Sequence, residues 1–197
     1  MIHLARPLLV SIDVSSGHGP EFTSEYEKSF GDLQGVYRDK AAFAALKETS
    51  AAEVAYRVFA TTGASRSGEL IVGTSTLQPG KVGDEFNMTR GHIHEIHDRS
   101  EMYYCLSGHG VMLLESLDGE TEAIEMRTAQ MVYVPGGWIH RSVNVGDDAL
   151  VTLFCYPSDS GQDYSIIERS NGMAKLVVED REGHWKLRDN PDYIPRR

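Results

Sequence analysis

From Glu53 onward the hydrophobic pattern of this chain repeats every two residues. The runs EVAYRVFA (53–60), ELIVGTSTLQ (69–78), EMYYCLSG (101–108), GVMLLES (110–116), TEAIEM (121–126), MVYVP (131–135), HRSVNV (140–145) and LVTLFCY (150–156) are rich in β-branched and aromatic residues, and Gly, Pro, Asn and Asp punctuate them. Successive side chains of a strand point to opposite faces, so each run presents one face that only a sheet can cover. Many short strands at near-regular spacing predict an all-β sandwich or barrel. Asp118-Gly119, Pro135-Gly136-Gly137 and Gly146-Asp147-Asp148 supply tight turns between them.

The remainder of the chain surrounds this block. Residues 1–35 mix Gly17, Gly19, Pro20, Gly31 and Gly35 with scattered acids, a pattern of strands or irregular cover. DKAAFAALK (39–47) predicts the one good helix: Asp39 caps it, and Ala42, Phe43 and Leu46 recur at helical spacing, to pack on the outside of a sheet. KLVVE (175–179) and HWKLR (184–188) add strands before a tail containing Pro and Arg. At 197 residues one domain is expected, organised as an N-terminal extension (1–52), a β-barrel (53–180) and a C-terminal strand and tail (181–197).

Charge narrows the partners. A net charge of −10 argues against a general nucleic-acid or anionic-membrane surface, so an anionic substrate must be held by local groups. The N-terminal apolar run, broken by Pro7 and Asp13, fits neither a signal peptide nor a membrane span, and cytoplasm is the expected compartment. Cys105 and Cys155 sit inside apolar runs without metal-type spacing and read as small core residues.

Chemistry concentrates in residues 89–108, TRGHIHEIHDRSEMYYCLSG. In an extended segment His92 and His94 share one face, and across a short connection (96–100) Glu101, Tyr103 and Cys105 share a face of the next strand. The stretch reads as a metal-binding hairpin. His140, just after Pro-Gly-Gly, is the most plausible fourth ligand. Three imidazoles and one carboxylate suit Fe, Mn, Co, Ni or Zn rather than Ca or Mg, and an octahedral ion would keep two positions for water or substrate. HIHEIH lacks the spacing of a helical His-Glu-x-x-His zinc site. His3, His18, His97 and His109 read as solvated, and Glu95 and Glu125 as surface charges.

These residues resemble the cupin superfamily, whose fold is a double-stranded β-helix or jelly-roll barrel. Residues 135–144, PGGWIHRSVN, match its second motif, PxGxxHxxxN, with Ala129 where that motif usually begins with glycine; His92, His94, Glu101 and Gly108 match the first. The long gap from His94 to Glu101 departs from most cupins and is similar to the cupin-type glucose-6-phosphate isomerase family. The pieces are TRGHIH (89–94), Glu101 seven residues after His94, and YPSDSGQDY (156–164), for TxGHxH and YPxDxGxDY. Residues 73–89 and the closing KLVVE and DNP (189–191) extend the likeness over most of residues 35–191.

The resemblance implies interconversion of glucose 6-phosphate and fructose 6-phosphate in glycolysis or gluconeogenesis, one divalent transition metal per subunit with Fe²⁺ first, and a homodimer. It implies that Glu101, Tyr103, Tyr156 and Tyr164 serve catalysis, and that Ser75, Thr89, Gly91 and Arg90 hold the phosphate. Gln162 stands where the family is expected to carry histidine; as a substrate-binding residue its amide can hydrogen-bond a sugar hydroxyl but cannot shuttle a proton near neutral pH. Glu101 reads both as ligand and as proton carrier, and proton transfer or a hydride shift both fit. The same ligands also suit a cupin dioxygenase, another sugar isomerase or a non-catalytic sugar-binding cupin.

Overall fold

The structure, a computed structural model, describes residues 7–62 and 66–196. His3 lies outside them. The chain runs β1 (Ser24–Ser29), a 3-10 turn (Phe30–Leu33), α1 (Lys40–Ser50), β2 (Val54–Ala60), β3 (Leu70–Leu77), β4 (Lys81–Val82), β5 (Glu85–Phe86), β6 (Glu101–Ser107) and β7 (His109–Ser116). It continues through β8 (Thr121–Arg127), β9 (Met131–Val134), β10 (Trp138–Asn144), β11 (Leu150–Pro157), α2 (Ser165–Arg169), β12 (Lys175–Glu179) and β13 (Trp185–Asp189). Every run predicted from period two is a strand.

The strands form a six-stranded sheet in the order β1-β2-β3-β11-β6-β9, a three-stranded sheet β10-β7-β8 and a four-stranded sheet β13-β12-β5-β4. All described pairings between named strands are antiparallel. This is the expected all-β architecture, antiparallel sheets packed over one core. Val111, Met112, Leu113 and Leu114 of β7 are all buried, so that strand is covered on both faces, whereas β9 alternates with Val132 and Val134 inside and Met131 and Tyr133 outside. The Asp118-Gly119 turn joins β7 to β8 as predicted, with Gly119 at φ +90° and the Ser116 N–H bonded to the Glu120 carbonyl at 2.9 Å.

Cover comes from the N-terminal part. β1 pairs with β2, and the hydroxyls of Thr74 and Thr76 on β3 donate to the carbonyls of Gly17 and Ser16 at 2.5 and 2.6 Å. α1 starts where Asp39 accepts the Ala42 N–H at 2.9 Å, and it runs to Ser50, past the predicted end; Phe43 alone on it is fully buried. Cys105 is buried as expected, while Cys155 is only half-buried, because it alternates with Phe154 and Tyr156 and faces away from the interior.

Registers decide which side chains meet. Along the large sheet Val58 is opposite Ser75, Ser75 opposite Thr152, Thr152 opposite Cys105, and Phe154 opposite Tyr103. Residues directly opposite share a face, so Tyr56 and Val58 of β2, Ser75 of β3, Phe154 and Tyr156 of β11, and Glu101 and Tyr103 of β6 line one surface. That surface is the floor of the site.

Candidate metal centre

Four side chains meet at one end of this floor. The ligand-type atoms of His92, His94, Glu101 and His140 all lie within 4.8 Å of one another. Glu101 opens β6 and His140 is the third residue of β10, so the six-stranded and the three-stranded sheet each contribute one group held by a strand backbone. His92 and His94 sit in the segment after β5, which is not the predicted hairpin strand. Gly91 at φ +74° breaks the extended run, and residues 95–98 bend and turn. The segment is instead pinned by single bridges, His92 to His140 and Ile93 to Asp163, with N–H to carbonyl distances of 3.0 and 3.1 Å in the first. Both histidines still reach the same side as Glu101.

The hydrogen bonds fix the imidazole tautomers. His94 Nδ1 lies 2.9 Å from the Arg99 carbonyl and His140 Nδ1 lies 3.0 Å from the Trp138 carbonyl. A carbonyl only accepts, so each Nδ1 carries a proton and each ring turns its Nε2 inward. There the Glu101 Oε2 stands 3.8, 3.2 and 3.0 Å from Nε2 of His92, His94 and His140. Nε2 of His92 and of His94 are buried without a hydrogen bond. Three imidazole nitrogens converging on a carboxylate, two of them without a hydrogen bond, are an arrangement that a cation satisfies, and the donor set fits a divalent transition metal.

Local electrostatics agree. Burial, reinforced by His140, holds the His92 pKa at about 3, so this ring is neutral. For His94 burial disfavours the charged form, but Glu101 and the Arg99 carbonyl outweigh it and raise the pKa. Burial acts to raise the Glu101 pKa; the surrounding histidines overcome it and hold it at about 2. The carboxylate is therefore ionised at neutral pH.

A cavity of about 270 Å³ opens beside the centre, small among ligand pockets. Its lining contains His92 and each of the other site residues expected from sequence: Glu101, Tyr103, Tyr156, Tyr164, Ser75, Thr89, Arg90, Gly91 and Gln162. His94 and His140 stand behind this wall. The Ser75 hydroxyl is buried without a hydrogen-bond partner. Arg90 stacks over the Tyr164 ring at 5.7 Å and pairs with Glu168 of α2 at 2.5 Å. The Glu168 side chain is 65 % exposed, and so open a pair contributes at most about 1 kcal/mol, too little to withhold Arg90 from an anion in the cavity. Burial first, then the Glu101 charge, keeps the Tyr103 and Tyr156 hydroxyls protonated.

Comparison with known proteins places this geometry. The family model described as glucose-6-phosphate isomerase (GPI) matches residues 27–195. The chain belongs to the glucose-6-phosphate isomerase family. A putative glucose-6-phosphate isomerase 1 of Rhizobium meliloti is 46 % identical over 196 residues, covering 100 % of this chain and 92 % of the relative. The glucose-6-phosphate isomerase of Thermococcus gammatolerans is 41 % identical over 186 residues, 94 % of this chain and 96 % of the relative. Among solved structures, Bacillus subtilis oxalate decarboxylase overlays 53 % of this chain and 26 % of its own, with a TM-score of 0.45 and 24 % identity. The assignment rests on the sequence relatives.

Within this isomerase-family chain the two unusual sequence features explain each other. Arg99, inside the long gap before Glu101, supplies the carbonyl that orients His94, and its guanidinium makes a two-pronged pair with Asp159 of YPSDSGQDY at 2.9 Å on each side. The gap and the YPxDxGxDY segment are thus one unit. Gln162 accepts from the Tyr164 hydroxyl at 2.5 Å and so orients that ring. Sequence reasoning passed over Tyr26, Tyr56 and Ser142, which also line the cavity. Tyr56 stands two residues before Val58 in a period-two run, a signal that acquires meaning only once β2 is known to lie beside β3.

Proposed function

We propose that this protein interconverts glucose 6-phosphate and fructose 6-phosphate as a metal-dependent isomerase. The observation that carries the reading is one cavity with an inward-facing His₃Glu centre at one end and anion donors, Ser75, Thr89, Gly91 and Arg90, along its wall, the Ser75 hydroxyl without a partner. Held by His92, His94, Glu101 and His140, a divalent ion supplies stabilisation of negative charge on the sugar C1 and C2 oxygens.

The chain's own groups do the rest. Ser75, Thr89, the Gly91 N–H and Arg90 seat the phosphate and set the sugar's register. Tyr103, Tyr156 and Tyr164, protonated at neutral pH, donate to sugar oxygens and pass the hydroxyl proton. Glu101 is surrounded by the imidazoles and is a weak base, which favours its role as ligand and direct transfer of hydrogen between C2 and C1. Retention of a C2 deuterium label in the product supports this, and its complete exchange with water overturns it. Fe²⁺ is the proposed ion, and a cytoplasmic homodimer the proposed form; exposed Met131 and Tyr133 on the edge strand β9 support association.

The test is reconstitution of metal-free protein with Fe²⁺, Mn²⁺, Co²⁺, Ni²⁺ and Zn²⁺ in turn, followed by a coupled dehydrogenase assay on fructose 6-phosphate. Turnover is expected with at least one ion, and Ser75→Ala and Thr89→Ala raise KM. No turnover with any of the five favours a sugar-binding protein; unchanged KM in both variants removes the phosphate assignment.

A further inference from the structure

Arg141 is a charged residue of β10 that the site described so far does not use. It follows the ligand His140, is 3 % exposed, and belongs to no ion pair within 4 Å among the described residues. Its guanidinium donates through Nη2 to the Arg90 carbonyl at 2.6 Å and through Nη1 to the Met88 sulfur at 2.8 Å, while Nε has no hydrogen-bond partner. Glu85 is the charge that most favours it, but that carboxylate is held by the N–H groups of Arg38 and Asp39 at 2.7 and 3.2 Å. A buried cation whose shortest bond goes to a backbone carbonyl is an expensive way to fill a core.

The carbonyl it holds explains its position. The Arg90–Gly91 peptide is trans, so its C=O and N–H point in opposite directions. Fixing the carbonyl toward β10 turns the Gly91 N–H away from β10, on the side where Gly91 lines the cavity. Gly91 also has the backbone that most readily permits the reverse arrangement, since glycine occupies both signs of φ, and here it stands at +74°. A flipped peptide presents an oxygen to an anion in place of a donor. The same strand holds the next part of the seat, with the Ser142 N–H on Thr89 Oγ1 at 3.2 Å and the Thr89 N–H on the Ser142 carbonyl at 3.0 Å.

We infer that Arg141 is a positioning residue that locks the Arg90–Gly91 peptide with its N–H toward the substrate phosphate. The inference rests on the proposed phosphate seat and concerns affinity, leaving the metal centre and the hydrogen transfer to other groups.

Arg141→Met tests it, because methionine keeps much of the volume while removing both the charge and the bond to Arg90, and replacing a buried charge by an apolar side chain is often tolerated. In the metal-loaded enzyme KM for fructose 6-phosphate and the inhibition constant of inorganic phosphate should both rise about ten- to a hundredfold, the range for a lost charge-assisted hydrogen bond. Bound metal should stay stoichiometric and kcat should stay within about threefold. Arg141→Lys restores one donor and should recover part of the affinity; if the Met variant does not fold, the Lys variant carries the test with a smaller rise in both constants. Unchanged KM and phosphate inhibition in folded, metal-loaded variant overturn the inference, as does loss of metal in parallel with affinity, which would make Arg141 a support for His140 alone. A wild-type enzyme that neither turns over fructose 6-phosphate nor binds phosphate defeats the underlying functional reading instead.

Discussion

His140 shows how one residue can serve two sheets: it is held in register by β7, bridges to His92, and offers Nε2 to the centre. His140→Ala should lower metal affinity by at least about tenfold, read by metal analysis after dialysis, while far-ultraviolet circular dichroism keeps its β signature. Acid should act on the same site. Metal needs neutral imidazole, and the His94 pKa in the metal-free protein lies above its ordinary 6.5, so affinity should fall as pH drops through that raised value and be restored above it. His92, with a pKa of about 3, stays neutral throughout and contributes no titration near pH 6. A pH-independent metal affinity between pH 8 and 5 would contradict this sign. Ala129 offers the reverse experiment. It stands where the cupin motif usually has glycine, and its φ is +69°, the left-handed region that a Cβ disfavours. Ala129→Gly should stabilise the protein by about 0.5–1 kcal/mol, seen as a rise of about 2 °C in Tm.

Elements set the depth of the floor. Gly73 on β3 lies opposite Phe154 on β11, and a Cβ built there comes within 2.4 Å of both the Phe154 ring and the Phe59 carbonyl. The glycine lets the Phe154 ring lie across β3, and that ring stacks on Tyr156 with centroids 5.7 Å apart. Gly73→Ala should therefore destabilise by about 1–3 kcal/mol through overpacking, measured by denaturant unfolding. It should also displace Tyr156 and lower kcat, whereas Gly119→Ala, in an open turn with nothing within 4 Å of the added carbon, should leave activity intact. The connections before β6 and after β11 act as a second unit of this kind, tied together by the Arg99–Asp159 pair and by the bridge between Ile93 and Asp163.

At the scale of the molecule, the C-terminal segment closes over the small sheet. Glu115 of β7 is fully buried, accepts from the Tyr193 hydroxyl at 2.5 Å and the Ala174 N–H at 2.7 Å, and forms an ion pair with Arg196 at 3.1 Å. Arg196 also reaches the carbonyls of Ile166 in α2 and of Gly172, at 3.4 and 3.2 Å. Removing one member of a buried pair exposes the other to an uncompensated burial cost. Arg196→Ala should destabilise by about 3 kcal/mol, and a change within 0.5 kcal/mol on chemical denaturation would show that Tyr193 and Ala174 suffice for Glu115.

Local pattern alone determined the strands of the period-two runs, the capped start of α1, the Asp-Gly turn and the four ligand-type residues, because alternation, capping and ligand chemistry operate within a few residues of the chain. It did not determine how the ligands are held: the His92 and His94 segment reads as one strand of a hairpin, yet it is bridged to β10 and to Asp163, partners 48 and 70 residues away in the chain (140 − 92 and 163 − 93). Tyr56 as a lining residue, the Gly73 and Phe154 fit, and the Glu115 lock likewise depend on which strands become neighbours, a choice made by burial of the whole core. Arg141 shows the difference most plainly. In the sequence it is one of the unspecified positions of PxGxxHxxxN, and only the packed structure puts its guanidinium on the carbonyl of Arg90.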